Sequence, residues 1–159
     1  MATRAFTVEV HIGSPKERVG RFLRDFPNYG KIHPLITAIR GSEPRPGVDL
    51  APTDQRRWYK VTDRLPLGPI PFFNTYEVAL AEKGPESLLF EAWQWPRIYL
   101  HNQTSWRAGE SGGTYVREEV RVHAPRLLLA MVAGTAEKAH RRSFAALKEM
   151  LESEPPRSG

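Results

Sequence analysis

The sequence predicts a single α+β domain in which a curved antiparallel sheet of seven strands wraps around one long C-terminal helix, with two short helices after the first strand. Its length of 159 residues suits one domain with its own core. The strand-like segments are joined by short turns without crossover helices, which favours antiparallel pairing. A long periodic apolar segment closes the chain and predicts the helix. We expect the domain to span residues 1–159, with its core in 3–153.

The first strand and the first helix are predicted over residues 4–26. From Arg4 to Ile12, apolar residues alternate with polar ones, the period of a half-buried strand. Ser14 is expected to cap the following helix, with Pro15 in its first turn and Glu17 completing a capping box. Pro27 should end this helix, because proline disfavours helical geometry at the preceding residue. A second short helical turn is expected over 26–34.

The remaining strands are predicted from β-type segments separated by Gly and Pro signals. Turn signals lie at 67–69, 83–85, 95–96 and 111–113. The predicted strands cover 35–41, 55–65, 70–82, 86–96, 97–108 and 113–123. The inward face of 55–65 and of 86–96 is left open, because neither alternation selects one side.

The C-terminal helix is predicted from about Pro125 onward, and Pro155 and Pro156 should close it. Small and apolar residues recur there at helical spacing over about 25 residues. They are Leu129, Val132, Ala136, Ala139, Ser143, Leu147 and Met150. Because the middle of this stripe is small, we expect room for a ligand between the helix and the sheet.

Composition restricts the chemistry. The chain has no cysteine, which excludes disulfides, thiolate metal sites and cysteine nucleophiles. The five histidines are widely spaced without a paired ligand motif, so we expect no metal and no cofactor. The net charge of +5 and a pI of about 9.7 raise the question of nucleic acid. The arginines are scattered, however, and often stand beside acidic residues, so no nucleic-acid partner is expected.

The hydropathy pattern favours a cytoplasmic protein. Residues 1–10 lack the long apolar core of a signal peptide, and no apolar run reaches the roughly 18 residues of a membrane span. We therefore expect no membrane insertion. Oligomeric state is not indicated by the sequence.

The opening of the chain carries a resemblance. Phe6-Thr7-Val8-Glu9-Val10 leads into Ser14-Pro15-Lys16-Glu17-Arg18-Val19, then Phe26-Pro27-Asn28-Tyr29 and His33-Pro34. With the element order over about 3–153, this resembles the START/Bet v1-like (SRPBCC; polyketide cyclase/dehydrase and lipid transport) superfamily and its helix-grip fold. The resemblance implies a cavity between sheet and helix that holds lipids, sterols, quinones or polyketides, in most members without catalysis.

Glu118 is the most informative candidate for the cavity. If Val116 and Val120 face inward, Glu118 must do so as well, because side chains two apart share a face of a strand. Desolvation would raise the pKa of such a carboxyl and suit it to acid, base or anchoring roles. Pairing with an arginine near the rim is the structural alternative and the favoured one.

The other cavity candidates follow from strand parity and from the resemblance. Asn102 and Thr104 share a face with Leu100 and Trp106, although they could simply satisfy each other in a core. Tyr29 and His33 would lie near the entrance, and Trp95 either packs inside or sits at the mouth. The full set of candidate ligand-binding residues is Tyr29, His33, Phe72, Asn74, Tyr76, Trp95, Leu100, Asn102, Thr104, Trp106, Val116, Glu118, Val132 and Ala136.

The sequence leaves three functions open. The leading hypothesis is non-catalytic binding of a hydrophobic or aromatic small molecule such as a lipid, polyketide or quinone, because no catalytic constellation is visible. The second is an enzyme of the polyketide cyclase or aromatase type, in which Glu118, Tyr76 and Asn102 would move protons. The third is a protein-interaction module.

Overall fold

A computed structural model describes residues 1–65 and 68–154, so Leu67 of one predicted turn and the predicted helix end at Pro155 and Pro156 lie outside it. The predicted order of elements is confirmed, and most boundaries lie within two residues of their expected positions. The elements are β1 (Ala2–Ile12), α1 (Lys16–Arg24), a 3-10 helix (Phe26–Lys31), β2 (Ile36–Gly41), β3 (Arg57–Leu65), β4 (Phe72–Gly84), β5 (Ser87–Gln94), β6 (Ile98–Ala108), β7 (Thr114–Ala124) and α2 (Arg126–Ser153).

The seven strands form one antiparallel sheet in the order β1-β7-β6-β5-β4-β3-β2. Each strand from β2 to β7 pairs with its neighbour in sequence, as expected for short connections. β1 closes the sheet on the far side by pairing with β7 over its whole length, from Ala2 opposite Ala124 to Ile12 opposite Thr114.

Strand alternation sets which side chains enter the interior. On β7 every second residue from Thr114 to Ala124 is buried, and the intervening residues are exposed or half-buried. The cross-strand pairs extend this inner face to Val8 on β1 and Thr104 on β6, both opposite Glu118. On the two strands that the sequence left open, Val61 and Phe90 belong to the core and therefore mark the inner face.

The two halves of α2 contact the sheet differently. In the C-terminal half, Phe144, Leu147 and Leu151 are fully buried, and Arg18 of α1 donates hydrogen bonds to the carbonyl oxygens of Leu151 and Glu154. In the N-terminal half, the sheet-facing residues Leu129 and Val132 are only half-buried. The helix therefore seals one end of the sheet and leaves the other end less covered.

The predicted cap of α1 is wrong. Pro15 occupies the N-cap position and makes no side-chain cap, so Ser14 stands one residue too early to bond the first helical N–H groups. The Ser14 hydroxyl is buried with no hydrogen-bond partner among the described residues. Its backbone carbonyl accepts a hydrogen bond from Thr114 Oγ1 at 2.7 Å, which ties the start of α1 to β7.

The outer face of the sheet carries an aromatic and ionic group that we call the outer cluster: Trp58, Trp93, Arg56, Glu91 and Tyr99. The two indole rings stack with centroids 5.4 Å apart. Arg56 lies over Trp58 and makes ion pairs with Asp54, at 2.6 Å, and with Glu91, at 3.3 Å. Tyr99 donates a hydrogen bond to Glu91 at 2.7 Å. This cluster ties β3, β5 and β6 together on the side away from α2.

Candidate ligand-binding site

Glu118 lies at the centre of the inner face and is 1% exposed. Its Oε1 is 2.6 Å from Nδ1 of His140 on α2, and its Oε2 accepts a hydrogen bond from the Asn102 amide at 2.7 Å. Both carboxylate oxygens therefore have partners, as a buried charge requires. The expected pairing with an arginine near the rim is wrong, because the partner is a histidine that α2 places directly over the strand.

Asn102 and Thr104 extend this group along β6. The Thr104 hydroxyl donates to the Asn102 side-chain oxygen at 3.0 Å, which orients the amide so that its nitrogen faces Glu118. The two residues do satisfy each other, and the Asn102 amide also holds the carboxylate. We call Glu118, His140, Asn102 and Thr104 the inner cluster.

His140 connects the inner cluster to the edge of the interior, since its side chain keeps 17% exposure. Burial alone lowers the pKa of this imidazole, but the paired Glu118 and the charge of Asp63 outweigh burial and raise the pKa above its ordinary value. Nδ1 of His140 is hydrogen-bonded to Glu118. Nε2 makes no hydrogen bond to any residue that the structure describes, so it remains available to a ligand.

His33 stands beside His140 with ring centroids 5.8 Å apart. Burial, and secondarily the charge of His140, lower the pKa of His33 to about 3. Its Nδ1 accepts a hydrogen bond from the backbone N–H of Leu35 at 3.3 Å, which leaves the proton on Nε2. The site thus combines one imidazole that favours its charged form with one that stays neutral.

A second carboxyl lies on the same inner face. Asp63 on β3 is 6% exposed and accepts a hydrogen bond from the Tyr76 hydroxyl at 3.2 Å. Burial raises the pKa of Asp63 to about 6, although the Tyr76 bond and the His140 charge act in the opposite direction. Burial, followed by the Asp63 charge, raises the pKa of Tyr76 well above its ordinary value.

Tyr29 supplies a polar atom without a partner. Its ring packs on Phe26 and Phe90, while its buried hydroxyl has no hydrogen-bond partner within the described ranges. Burial raises its pKa well above the ordinary value, and the Glu118 charge adds to this effect. A buried hydroxyl without a partner is unfavourable unless water or a ligand supplies one.

Apolar residues of β5, β6 and the N-terminal half of α2 are only partly covered. Ala92 and Leu100 on the sheet and Leu129, Val132 and Ala136 on the helix pack against the core but are only half-buried. We call the surface between these residues the inner groove; it lies at the end of the sheet where α2 begins. Half-buried apolar walls around a few polar groups are typical of small-molecule sites.

Two surface depressions lie elsewhere. One, of about 530 Å³, is lined by residues 51–57 together with residues of β4 and β5, including Arg56 and Glu91. The other, of about 710 Å³, lies around the β4–β5 turn and includes Trp106 and Val116. Neither reaches Glu118 or His140, so they are separate from the inner cluster.

The structure distributes the predicted cavity residues over four regions. Asn102, Thr104 and Glu118 meet directly, while Tyr29, His33 and Tyr76 lie around them. Leu100, Val132 and Ala136 line the inner groove. Val116 is buried on β7, and Trp106 packs beneath α1, where its indole is 3.0 Å from the position a Cβ on Gly20 would take.

The remaining three predicted residues lie at the mouth. Phe72 and Trp95 do not line the interior, since they are 50% and 81% exposed. The reason is strand length: β4 begins at Phe72 and β5 ends at Gln94, so neither side chain has a facing element. Asn74 lies just inside and donates to Gln94 at 3.4 Å.

Sequence reasoning missed His140 and Asp63. The spacing could have indicated His140, since it follows Ala136 by four residues and precedes Ser143 by three, within the predicted stripe. Asp63 shares strand parity with Tyr59 and Val61, but the inward side of that strand was left open. Among the residues that the structure describes, no three His, Asp or Glu side chains converge as a metal site.

Comparison with solved structures identifies the fold that contains this site. The Zhui aromatase/cyclase from Streptomyces sp. R1128 superposes with a TM-score of 0.72 at 12% identity, covering 95% of this chain and 94% of that one. A START superfamily protein from Mycobacterium smegmatis gives a TM-score of 0.69 at 13% identity, with coverages of 94% and 97%. Ara h 8.0201 gives 0.70 at 17% identity, with coverages of 96% and 100%. The fold is that of START/Bet v1-like proteins.

The sequence comparisons add no family assignment. No family model matches the chain. No curated protein sequence matches it either. The START/Bet v1-like fold also occurs in the di-domain ARO/CYC BexL, with a TM-score of 0.67 at 18% identity, where this chain spans about half (51%) of that protein. Within the described residues, no helix is both long and apolar enough to cross a bilayer.

Proposed function

We propose that this chain binds a hydrophobic or aromatic small molecule in the inner groove and anchors its polar group at His140, without turning it over. The observation that carries the proposal is the Glu118–His140 pair. A fully buried carboxylate holds one imidazole nitrogen at 2.6 Å and leaves the other free at the edge of half-buried apolar walls. Nε2 is not among the fully buried atoms that lack a partner, so water, or a ligand that displaces water, can reach it.

The geometry indicates what the ligand must offer. Glu118 raises the pKa of His140 and so favours the imidazolium, the form in which Nε2 carries a hydrogen that it can donate. The unpartnered Tyr29 hydroxyl is a second donor in the electrostatic field of Glu118. Two donors beside apolar walls suit a molecule with a carbonyl or phenolic oxygen at one end and an apolar or aromatic body.

The first test is native mass spectrometry of the purified protein, followed by denaturing extraction. We expect a reproducible adduct on the wild-type chain and on Glu91→Gln, which alters only the outer cluster. We expect the adduct to be lost, or at least about tenfold less occupied, in His140→Leu, which keeps the apolar volume but removes the donor. Equal occupancy in all three proteins would contradict anchoring at His140.

A second candidate function is proton transfer of the cyclase type, and one observation favours it. Asp63 has a pKa of about 6 and lies on the same inner face as His140, so its carboxyl can exchange protons near neutral pH beside an imidazole that favours its charged form. Tyr76 bonds Asp63 rather than Glu118, so the relevant pair is Asp63–Tyr76. If an identified ligand is converted by wild-type protein, Asp63→Asn should retain binding and lose at least about tenfold in turnover. Unchanged turnover would exclude this role.

A further inference from the structure

One end of the molecule exposes several large apolar side chains. Ile70 is 76% exposed, Trp95 81% and Leu127 97%. Of the nine large apolar residues that are exposed in the described ranges, six belong to this group: Ile70, Phe72, Phe73, Trp95, Leu127 and Met131. Single exposed apolar residues are ordinary, but a group this size marks an interaction surface.

The strand register places these residues together. Leu65 pairs with Phe72 across the β3–β4 connection, and Gln94 pairs with Ile98 across the turn that carries Trp95. Ala2 pairs with Ala124, immediately before α2 starts at Arg126. All these strand ends lie at the same end of the sheet, and the residues of the inner groove lie there too. We call this surface the mouth face.

The charges of the mouth face have one sign. Residues 1–5, 68–73, 94–100 and 121–135 contain no Asp or Glu. Five arginines at this end are exposed, and none makes an ion pair with any residue in the described ranges. They are Arg4, Arg64, Arg97, Arg121 and Arg126. The chain places most of its ion pairs elsewhere, for example at Arg117–Glu9 and Arg141–Glu137.

We propose that the mouth face docks on the surface of an anionic lipid bilayer. Exposed aromatic and aliphatic side chains on loops and on a helix start enter the headgroup region, while unpaired arginines around them attract anionic headgroups. Tryptophan favours this interfacial depth. No helix among the described residues is able to span a bilayer, so the association is peripheral. This proposal goes beyond ligand binding and does not require a ligand.

The shape favours a bilayer over an acidic protein. The exposed apolar residues lie on three separate segments, namely residues 70–73, the Trp95 turn and the first turns of α2. A protein partner would need a matching contact for each segment, whereas a fluid bilayer accommodates all of them together. Nucleic acid would use the arginines but leave the apolar side chains in water.

The test is flotation with vesicles of phosphatidylcholine alone and of phosphatidylcholine with about 30% phosphatidylglycerol, at low and at about 0.15 M salt. We expect saturable binding to the anionic vesicles, at least about tenfold weaker on neutral ones, and weakened by salt. Tryptophan fluorescence should shift to the blue on binding. This shift should be lost in Trp95→Phe, since Trp58 and Trp106 are already buried and Trp93 is stacked on Trp58 on the outer face.

Matched charge variants distinguish vesicle binding through the mouth face from a general effect of net charge. Arg97→Glu/Arg126→Glu should reduce vesicle affinity at least about tenfold, whereas Arg21→Glu/Arg142→Glu, with the same change in net charge on exposed helix positions, should leave it within about twofold. Leu127→Ser should weaken binding, and Leu50→Ser, in the β2–β3 connection, should not. Absence of vesicle binding, or equal losses in both charge variants, would overturn the proposal. Ligand occupancy by native mass spectrometry is read separately, so failure here leaves the inner groove unaffected.

Discussion

The inner and outer clusters contain the same chemical unit, a mid-strand glutamate paired with a basic side chain, in opposite surroundings. Glu118 is 1% exposed and pairs with a titratable imidazole. The side chain of Glu91 is 20% exposed and pairs with a guanidinium that stays charged at all ordinary pH values. On the inner face, burial makes the charge state of His140 depend on Glu118 and Asp63. On the outer face, the partly exposed Arg56–Glu91 pair links β5 to the residue before β3.

The energetics of the two clusters should differ accordingly. Near the surface, solvent screens an ion pair, and removing one partner leaves the other hydrated. In the interior, removing one partner leaves a buried charge or an unbonded amide. Comparing matched substitutions in the two clusters therefore measures what burial contributes.

Glu118→Ala should produce the largest loss. It leaves His140 and the Asn102 amide without their partner, and we expect a decrease of about 3–5 kcal/mol in the free energy of unfolding. Glu91→Ala should cost about 1 kcal/mol, because Arg56 keeps Asp54. Urea denaturation of both variants at pH 7 measures the difference. Equal losses would show that the inner pair is no more desolvated than the outer one.

Trp58→Ala should cost about 3 kcal/mol, because the side chain is 6% exposed and stacks on Trp93. Ligand occupancy at saturating concentration should not change, since the outer cluster lies on the opposite face of the sheet. Thermal unfolding gives the stability, and native mass spectrometry gives the occupancy. A parallel loss of ligand would show that the two faces are coupled.

His33→Gln should reduce the sensitivity of the fold to acid. The pKa of His33 is about 3 in the folded chain against an ordinary 6.5, so the unfolded chain binds more protons between these values. Stability therefore falls as the pH decreases from about 6.5 towards 3, and His33 accounts for about 2 kcal/mol of that fall by pH 4.5. Urea denaturation of wild type and variant at pH 7 and 4.5 measures this contribution.

Asp63 changes the free energy of unfolding in the opposite direction over part of the same pH range. Its pKa is raised to about 6, so the folded chain binds more protons than the unfolded chain between the ordinary 3.8 and 6. That contribution stabilises the fold as the pH falls through this window. Repeating the His33 comparison in an Asp63→Asn background removes it. If, in that background, His33→Gln does not change how the free energy of unfolding varies between pH 7 and 4.5, His33 is not held neutral in the folded chain.

Tyr99→Phe should have the smallest effect, about 0.5 kcal/mol. The hydroxyl donates one hydrogen bond to Glu91, and Arg56 still pairs with that carboxylate. Thermal unfolding is sensitive enough to detect this change. A loss above about 3 kcal/mol would mean that Glu91 depends on Tyr99 as fully as Glu118 depends on its partners.

The sequence predicted the architecture because the fold follows local periodicities. Alternation in 4–12 and 113–123 and the stripe after Pro125 each identify an element and its buried face. The inward position of Glu118 followed from parity alone. The partner of Glu118 could not be predicted, because the position of His140 over β7 depends on where α2 crosses the sheet.

The mouth face was hidden from the sequence for the same reason. Arg4, Arg64, Arg97 and Arg126 are far apart along the chain and look like an ordinary solvated surface. The sheet register brings them to one end. Long-range placement, rather than residue type, decides whether such charges form a patch.

The most direct test of the ligand site observes the two nitrogens of His140 by long-range ¹H–¹⁵N NMR while 8-anilinonaphthalene-1-sulfonate is added as a probe ligand. We expect Nε2 of His140 to shift saturably with probe concentration, and Glu118→Gln to lower the pKa of this imidazole. His123, on the outer face, should remain unchanged in both experiments. Saturable probe binding that leaves both His140 nitrogens unmoved would contradict the proposed anchor.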